Sequence, residues 1–158
     1  MGDRSQDGSR LTVRLGTATD RPYVVALGAL AFARFGDYAP VMRGFLQSAD
    51  VEVFVAWEAG TRVGFALLDT PLEHAGLADL VAIAVDPVRR RAGVGRALLA
   101  SVISSCEGRA DRSVLVLTVA DDNLPAIALF RSFDFAMVPG TLGRYAGGQT
   151  SRRMIRAV

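Results

Sequence analysis

Apolar and polar residues alternate over Leu11–Leu15, the period of a strand with one buried face. Thr17 to Asp20 then supplies helix-capping residues, and Pro22 sits in a tolerated first-turn position. Tyr23 to Phe35 is mostly apolar and predicts a helix, which Gly36 and Asp37 break. Val41, Met42, Phe45 and Leu46 recur at helical spacing and predict a second helix over Pro40–Ser48. Val51–Glu58 and Val63–Leu68 are β-rich, joined by a four-residue turn, Ala59-Gly60-Thr61-Arg62, so they predict a hairpin. Residues 69–78 read as a loop. Leu80–Val85 is continuously apolar, as in a strand buried on both faces, and Asp86-Pro87 ends it.

Residues 89–96 form a charged loop bearing glycines, followed by a helix with Val94, Leu98, Leu99, Val102, Ile103 and Cys106 along one stripe and Gly108 near its end. Val114–Val119 predicts another buried strand, and Asn123 caps a helix from Leu124 to about Phe133. Phe135–Val138 and Arg152–Val158 read as closing strands around a glycine-rich loop. The order is β-α-α-β-β-β-α-β-α-β-β. It predicts an α/β (α+β) class: one domain over 11–158, a mixed central sheet of six or seven strands, and about four flanking helices. Residues 1–10 read as a flexible tail. No repeat or long linker divides the chain.

Composition narrows the chemistry. The 158 residues are 51% hydrophobic and 22% charged, enough for one domain with a real core. A single cysteine, Cys106, excludes a disulfide framework and thiolate-clustered metal sites; with only His74, no metal site is expected. All eighteen basic residues are arginines, which excludes lysine nucleophiles. The polar start lacks a signal-peptide core, Gln6 spoils a myristoylation signal, and no apolar run approaches the ~20 residues of a membrane span. The expectation is a cytoplasmic protein with no membrane partner. Net charge is only +2, against a general nucleic-acid binder. Residues 36–80 carry seven acids against two arginines, and residues 81–158 carry eleven arginines against six acids. That division suits an enzyme holding one cationic and one anionic ligand; chance scatter of solvated charge produces it as readily.

The most informative stretch is Val85-Asp-Pro-Val-Arg-Arg-Arg-Ala-Gly-Val-Gly-Arg-Ala-Leu-Leu99. A buried strand enters a loop, and the loop opens straight into an amphipathic helix. Gly93 and Gly95 let the backbone approach a ligand, and the first helical turn offers unpaired N–H groups and positive potential. Together they form a phosphate cradle, with Arg90, Arg91 and Arg96 adding charge. A P-loop requires the lysine this chain lacks. A dinucleotide fingerprint requires a glycine where Leu98 stands, and the motif lies mid-chain.

Arg90-x-x-Gly93-x-Gly95 resembles the pyrophosphate loop of the GCN5-related N-acetyltransferases, the GNAT superfamily. Residues 115–135, LVLTVADDNLPAIALFRSFDF, are similar to that family's later motif, with Asn123, Ala126 and Leu129 at matching positions. The resemblance covers about residues 51–138 and extends to 11–50 only in element order. It departs at Phe130, where the family usually carries a tyrosine that protonates the leaving thiolate, and at Asp134, where it carries a glycine.

The resemblance implies an acetyl-CoA-dependent N-acetyltransferase with a GNAT-like fold. Acetyl-CoA would be the co-substrate, its pyrophosphate on the N–H groups of Arg91, Ala92, Gly93, Val94, Gly95 and Arg96, beside Arg90. Its pantetheine would pair with Ile83, Ala84 and Val85 where two parallel strands splay, with a backbone N–H near Val85 for the oxyanion. Asn123 and Phe130 would contact the cofactor arm; Asn123 also reads as a plain N-cap.

The acceptor would be a primary amine of a small molecule or peptide, whose proton a carboxylate or a held water must accept. Asp79 is the candidate base, directly or through water; on period-2 alternation it shares a face with Val81, Ile83 and Val85. Its plainer reading is a loop aspartate at a strand edge. Thr118 stands where other members carry a glutamate and could hold a water. Tyr145 or Ser132 are candidate replacements for the missing acid. Phe32, Phe35, Tyr38 and Phe45 are candidates to line the acceptor pocket or simply core residues. Cys106, His74 and Trp57 read as a core thiol, a surface histidine and a packing residue. The acidic 36–80 stretch hints at a cationic acceptor. The family's closing strands often meet at dimer interfaces, so a homodimer is expected by analogy. Two alternatives stand beside this reading: a non-catalytic acyl-CoA-binding or regulatory module on the same fold, and a nucleotide-binding domain.

Overall fold

A computed structural model of the chain describes residues 10–158, so the expected tail, but for the exposed Arg10, lies outside the described residues. Strand β1 (Thr12–Leu15) leads through a 3-10 turn into helices α1 (Arg21–Ala31) and α2 (Ala39–Gln47). Strands β2 (Val51–Glu58), β3 (Thr61–Asp69) and β4 (Gly76–Val85) follow as an antiparallel meander. Helix α3 (Val94–Cys106) crosses to β5 (Arg112–Ala120), the parallel neighbour of β4. Helix α4 (Leu124–Arg131), the two-residue strands β6 (Ala136–Met137) and β7 (Gly143–Arg144), and β8 (Thr150–Ala157) complete the fold. The eight described strands form one sheet in the order β1-β2-β3-β4-β5-β8-β6, with β7 also on β8.

Local chemistry explains the boundaries. Thr17 N–H donates to the Asp20 carboxylate at 2.8 Å, closing a capping box before α1. Buried Asp20 also takes Arg62 Nε at 2.7 Å, which pins the start of α1 to β3. The β2–β3 turn is tighter than expected. Glu58 pairs with Thr61, and Ala59 (φ 51°) and Gly60 (φ 75°) make a two-residue turn with both residues left-handed. Strand β4 begins four residues before the apolar run, because Gly76–Ala78 find partners on β5; the turn chemistry of Pro71–His74 fills only the segment before it. α1 stops at Ala31, and a separate 3-10 turn (Ala33–Phe35) follows. The glycine-rich segment before β8 carries β7, which raises the strand number from the expected six or seven to eight.

Two cores flank the sheet. Leu98, Leu99, Val102, Leu115, Leu117 and Met154 pack under α3 and α4. Val24, Met42, Phe65, Leu67, Ala82 and Ala84 pack under α1 and α2. Ala78 and Leu80 belong to the first core, whereas Ala82 and Ala84 belong to the second. The strand therefore changes face between Leu80 and Ala82. The register shows why: Leu68 faces Leu80 and its neighbour Leu67 faces Ala82, which leaves Val81 as an extra residue, a β-bulge.

Candidate active site

The bulge lies where β4 and β5 part. Their parallel register runs from Gly76↔Arg112 to Leu80↔Leu117 and stops. Beyond it β4 continues to Val85 on β3, and β5 continues to Ala120 on β8. The edge of Val81–Val85 that faces β5 therefore has no ladder partner, although a backbone edge inside a sheet normally pairs. A cleft of about 110 Å³ occupies the gap. Leu80–Ile83 form one wall and Leu117–Ala120 the other; Asn123, Ala126 and Phe130 of the α4 segment close one side. Of the expected strand contacts, Ile83 lines the cleft, Ala84 is buried toward α1, and Val85 packs on the α3 side.

At the end of β4, Asp86 accepts the Val88 N–H at 3.1 Å and opens a 3-10 turn. Arg89 pairs with Glu58 at 3.3 Å, which ties the loop to β2 and leaves Arg90 and Arg91 outward. Arg91 (φ 66°) and Gly93 (φ 83°) are both left-handed. This is strained backbone for Arg91, of the kind that gathers at ligand-binding loops. Ala92 N–H bonds the Arg89 carbonyl at 3.4 Å; Val94, Gly95 and Arg96 present their N–H groups in the first turn of α3, whose ladder begins with Ala97 N–H to Gly93 O at 3.0 Å. A Cβ on Gly93 would meet nothing within 4 Å, so the surface there is open to a ligand. Arg96 is turned toward α4: its Nη1 donates to Ser132 Oγ at 3.1 Å and its guanidinium lies over Phe133.

Asp79 stands opposite Asp69 on β3 and Val116 on β5. The bulge corrects the period-2 reading: Asp79 shares its face with Ala82 and Ala84, toward the α1–α2 side, and not with Ile83 and Val85. Burial pushes its carboxyl up to about 6; Arg153 opposes that rise and Asp69 adds to it. Arg153 reaches this face as the β8 partner of Thr118. Asp79 adjoins the cleft wall at Leu80 without lining the cleft itself.

The side of the cleft under the α1–α2 connection is aromatic. Phe32, Phe35 and Tyr38 from the α1–α2 connection and Tyr145 from the β7–β8 turn line the cleft with Thr118. Phe32 and Tyr38 rings stand 5.3 Å apart, and Phe35 and Tyr145 rings 4.9 Å. Phe45 instead packs in the second core. Burial, with Tyr38 close by, pushes the Tyr145 phenol up to about 12, so it keeps its proton at neutral pH. Phe130 is buried against Phe135, their rings 5.8 Å apart. Asn123 caps α4 through Oδ1, which accepts the Ala126 N–H at 3.4 Å. Ser132 is spent on α4's own end, donating to the Leu129 carbonyl at 2.6 Å. Cys106 is buried on α3, and His74 lies in the β3–β4 turn. Trp57 is stacked between Arg14 and Arg62. Among the described residues no group of three potential metal ligands occurs, and no helix is long and apolar enough to cross a membrane.

Sequence reading missed Arg153, Arg34, Asp122 and Gln149 near the site. Arg153 is one of two adjacent arginines, and which of them faces Asp79 depends on strand register.

The model of the acetyltransferase (GNAT) family matches residues 19–135. Mycothiol acetyltransferase of Clavibacter sepedonicus is 35% identical over 127 residues, 75% of this chain and 40% of that protein. The mycothiol acetyltransferase of Kineococcus radiotolerans is 41% identical over 73 residues, 46% of this chain and 23% of that protein. The chain thus spans less than half the length of these curated relatives. Among solved structures, the ribosomal-protein-S18-alanine N-acetyltransferase from Escherichia coli superposes with a TM-score of 0.81 at 28% identity, over 94% of both chains. Arabidopsis thaliana NAA60 in complex with acetyl-CoA gives a TM-score of 0.80 at 16% identity, over 94% of this chain and 99% of that one, a likeness of fold.

Proposed function

The chain belongs to the acetyltransferase (GNAT) family, and from that premise we propose that it transfers an acetyl group from acetyl-CoA to the primary amine of a small molecule or peptide. The observation that carries this reading is the parting of β4 and β5 beside a left-handed, arginine-bearing helix entry. The residues fit the donor. The N–H groups of Val94, Gly95 and Arg96 suit a pyrophosphate, with Arg90 and Arg91 adding charge. The unpaired edge of Val81–Val85 offers backbone partners to an amide-bearing arm, and Phe130 and Ala126 offer apolar contact. A free N–H on that edge can hold the oxygen of the attacked carbonyl as it gains charge.

The amine nitrogen attacks the thioester carbon, the carbon–sulfur bond breaks, and the thiol leaves. An alkylamine is protonated at neutral pH, and freeing its lone pair costs roughly 4–5 kcal/mol. Asp79, ionised above about 6, takes that proton through a water that Thr118 helps to hold. Tyr145 keeps its proton and lines the same cleft, so it serves as the acid that Phe130 cannot be. The aromatic wall of Phe32, Phe35, Tyr38 and Tyr145 suits a cationic acceptor. An alanine-initiated peptide is the first to test, since the E. coli neighbour is named for acting on a ribosomal-protein alanine. The proposal includes action in the cytoplasm and a homodimer through the closing strands, the latter checked by light scattering.

The test is thiol release from acetyl-CoA with a panel of amines: an alanine-initiated peptide, a polyamine and an aminoglycoside. Wild type is expected to turn over at least one, with a rate that rises as pH passes 6. Asp79→Asn is expected to lower kcat by about 10²–10⁴-fold with acetyl-CoA affinity retained. Undiminished turnover by Asp79→Asn removes Asp79 from the chemistry. Acetyl-CoA binding without turnover of any amine reassigns the chain as an acyl-CoA-binding module.

A further inference from the structure

The cleft has a roof, and the roof is fastened at points outside the catalytic groups named above. The α1–α2 connection brings Phe32, Phe35 and Tyr38 over the parted strands, and the β7–β8 turn brings Tyr145 to meet them. Arg34, between the cleft-lining Phe32 and Phe35, sends its guanidinium across to Asp122 as a two-point pair at 3.0 and 3.2 Å. Asp122 directly precedes Asn123, the cap of α4 and part of the cleft wall. The turn is held from the other side: Gln149 Nε2 donates to the Arg34 carbonyl at 2.9 Å, and Gly147 N–H donates to the Phe35 carbonyl at 3.1 Å. Gly147 is seated so closely that a Cβ there would strike the Arg34 carbonyl. One short segment, Arg34–Phe35, therefore joins three parts of the wall: the α1–α2 connection, the start of α4 and the β7–β8 turn.

We propose that Arg34 is a positioning residue: by clasping Asp122 with its side chain and Gln149 with its carbonyl, it holds the aromatic roof closed over the parted strands, so that water is kept from the thioester and the acceptor amine is aligned. The inference rests on the function proposed above. It assigns Arg34, Asp122 and Gly147 no contact with the reacting atoms. Their effect passes through Phe35, Tyr145 and Asn123, which do line the cleft. Arg34 and Asp122 are about half exposed, so their pair is of the modest kind that biases a closed arrangement without carrying the fold.

The experiment needs no known acceptor. Acetyl-CoA is supplied alone, its binding is measured by calorimetry, and its slow hydrolysis is followed by thiol release. Arg34→Ala is expected to raise hydrolysis about two- to fivefold, the change in open population that an exposed pair can govern, with acetyl-CoA affinity within about twofold of wild type. Arg34→Asp with Asp122→Arg is expected to restore the wild-type rate, which a loss of fold stability would not do. Gly147→Ala, which keeps every charge but cannot close, is expected to exceed Arg34→Ala. Where an amine is turned over, Arg34→Ala should raise its KM more than it lowers kcat. Hydrolysis unchanged in both Arg34→Ala and Gly147→Ala, in proteins that still bind acetyl-CoA, overturns the clasp. Failure of wild type to bind acetyl-CoA overturns instead the function on which it rests.

Discussion

The two sides of the cleft are built on different principles. The proposed donor side is a strand, a loop and a helix start in continuous sequence, and its chemistry is mostly backbone: an unpaired strand edge and three N–H groups at a helix entry. The proposed acceptor side is assembled from four separate places, the α1–α2 connection, β4, β5 and the β7–β8 turn, and its chemistry is mostly side chains. Backbone recognition tolerates changes of side chain and can serve one donor across a family. A side-chain wall can be rebuilt residue by residue to take a different acceptor.

If that division holds, substitutions should separate cleanly. After the loss expected for Asp79→Asn, the largest effect in this comparison is expected at Tyr145. Tyr145→Phe keeps the ring against Phe35 and removes only the proton donor, so kcat should fall by about a hundredfold, the lower end for general acid catalysis, with acetyl-CoA binding untouched. Steady-state rates with the best amine of the panel check this; an unchanged kcat would return the acid role to solvent.

Next comes the donor loop. Gly93→Val forces a β-branched residue to φ 83° and fills the open surface above the helix entry. Acetyl-CoA should bind about thirtyfold more weakly by calorimetry. For acetyl-CoA that still binds, kcat at saturation should hold near wild type. A large fall in kcat there would show that the two sides are not separable.

The smallest effect is on stability. Asp79 titrates near 6 in the fold and near 4 when unfolded, so the folded state binds more protons between those values. Stability therefore falls as pH rises from about 4 to about 6 and then levels. Asp79→Asn should be more stable than wild type at pH 7, by about 1–2 kcal/mol, and should lose that advantage at pH 4. Urea midpoints of the two proteins at both pH values measure it. Equal midpoints at pH 7 would mean that the Asp79 carboxylate is well solvated, and so no poised base.

How legible each side is in the sequence follows from the same difference. The donor side is local: the glycine spacing after an apolar run, then an amphipathic stripe, and these fall where α3 and its entry loop stand. The apolar runs also give the element order, because each helix and strand needs only its own periodicity. What escapes is non-local. Nothing around Val81 announces an extra residue; the bulge exists only in the pairing of Leu67 and Leu68 with β4, and it moves Asp79 to the other face. The Arg34–Asp122 pair joins residues 88 positions apart and leaves no trace in either segment. Strand β7 is hidden for a like reason, since Gly143 and Arg144 have no strand propensity of their own and form a strand by lying on β8.

The central claim is that the gap between β4 and β5 is an acetyl-CoA site. A thermal-shift titration with acetyl-CoA, beside ATP and NAD, tests it most directly. At a hundred times Kd a ligand adds about 2.7 kcal/mol, a rise of roughly 5–11 °C for a chain of this size. The account predicts that rise with acetyl-CoA, little with ATP or NAD, and a smaller rise in Gly93→Val. No shift at millimolar acetyl-CoA, or an equal shift with ATP, would contradict it.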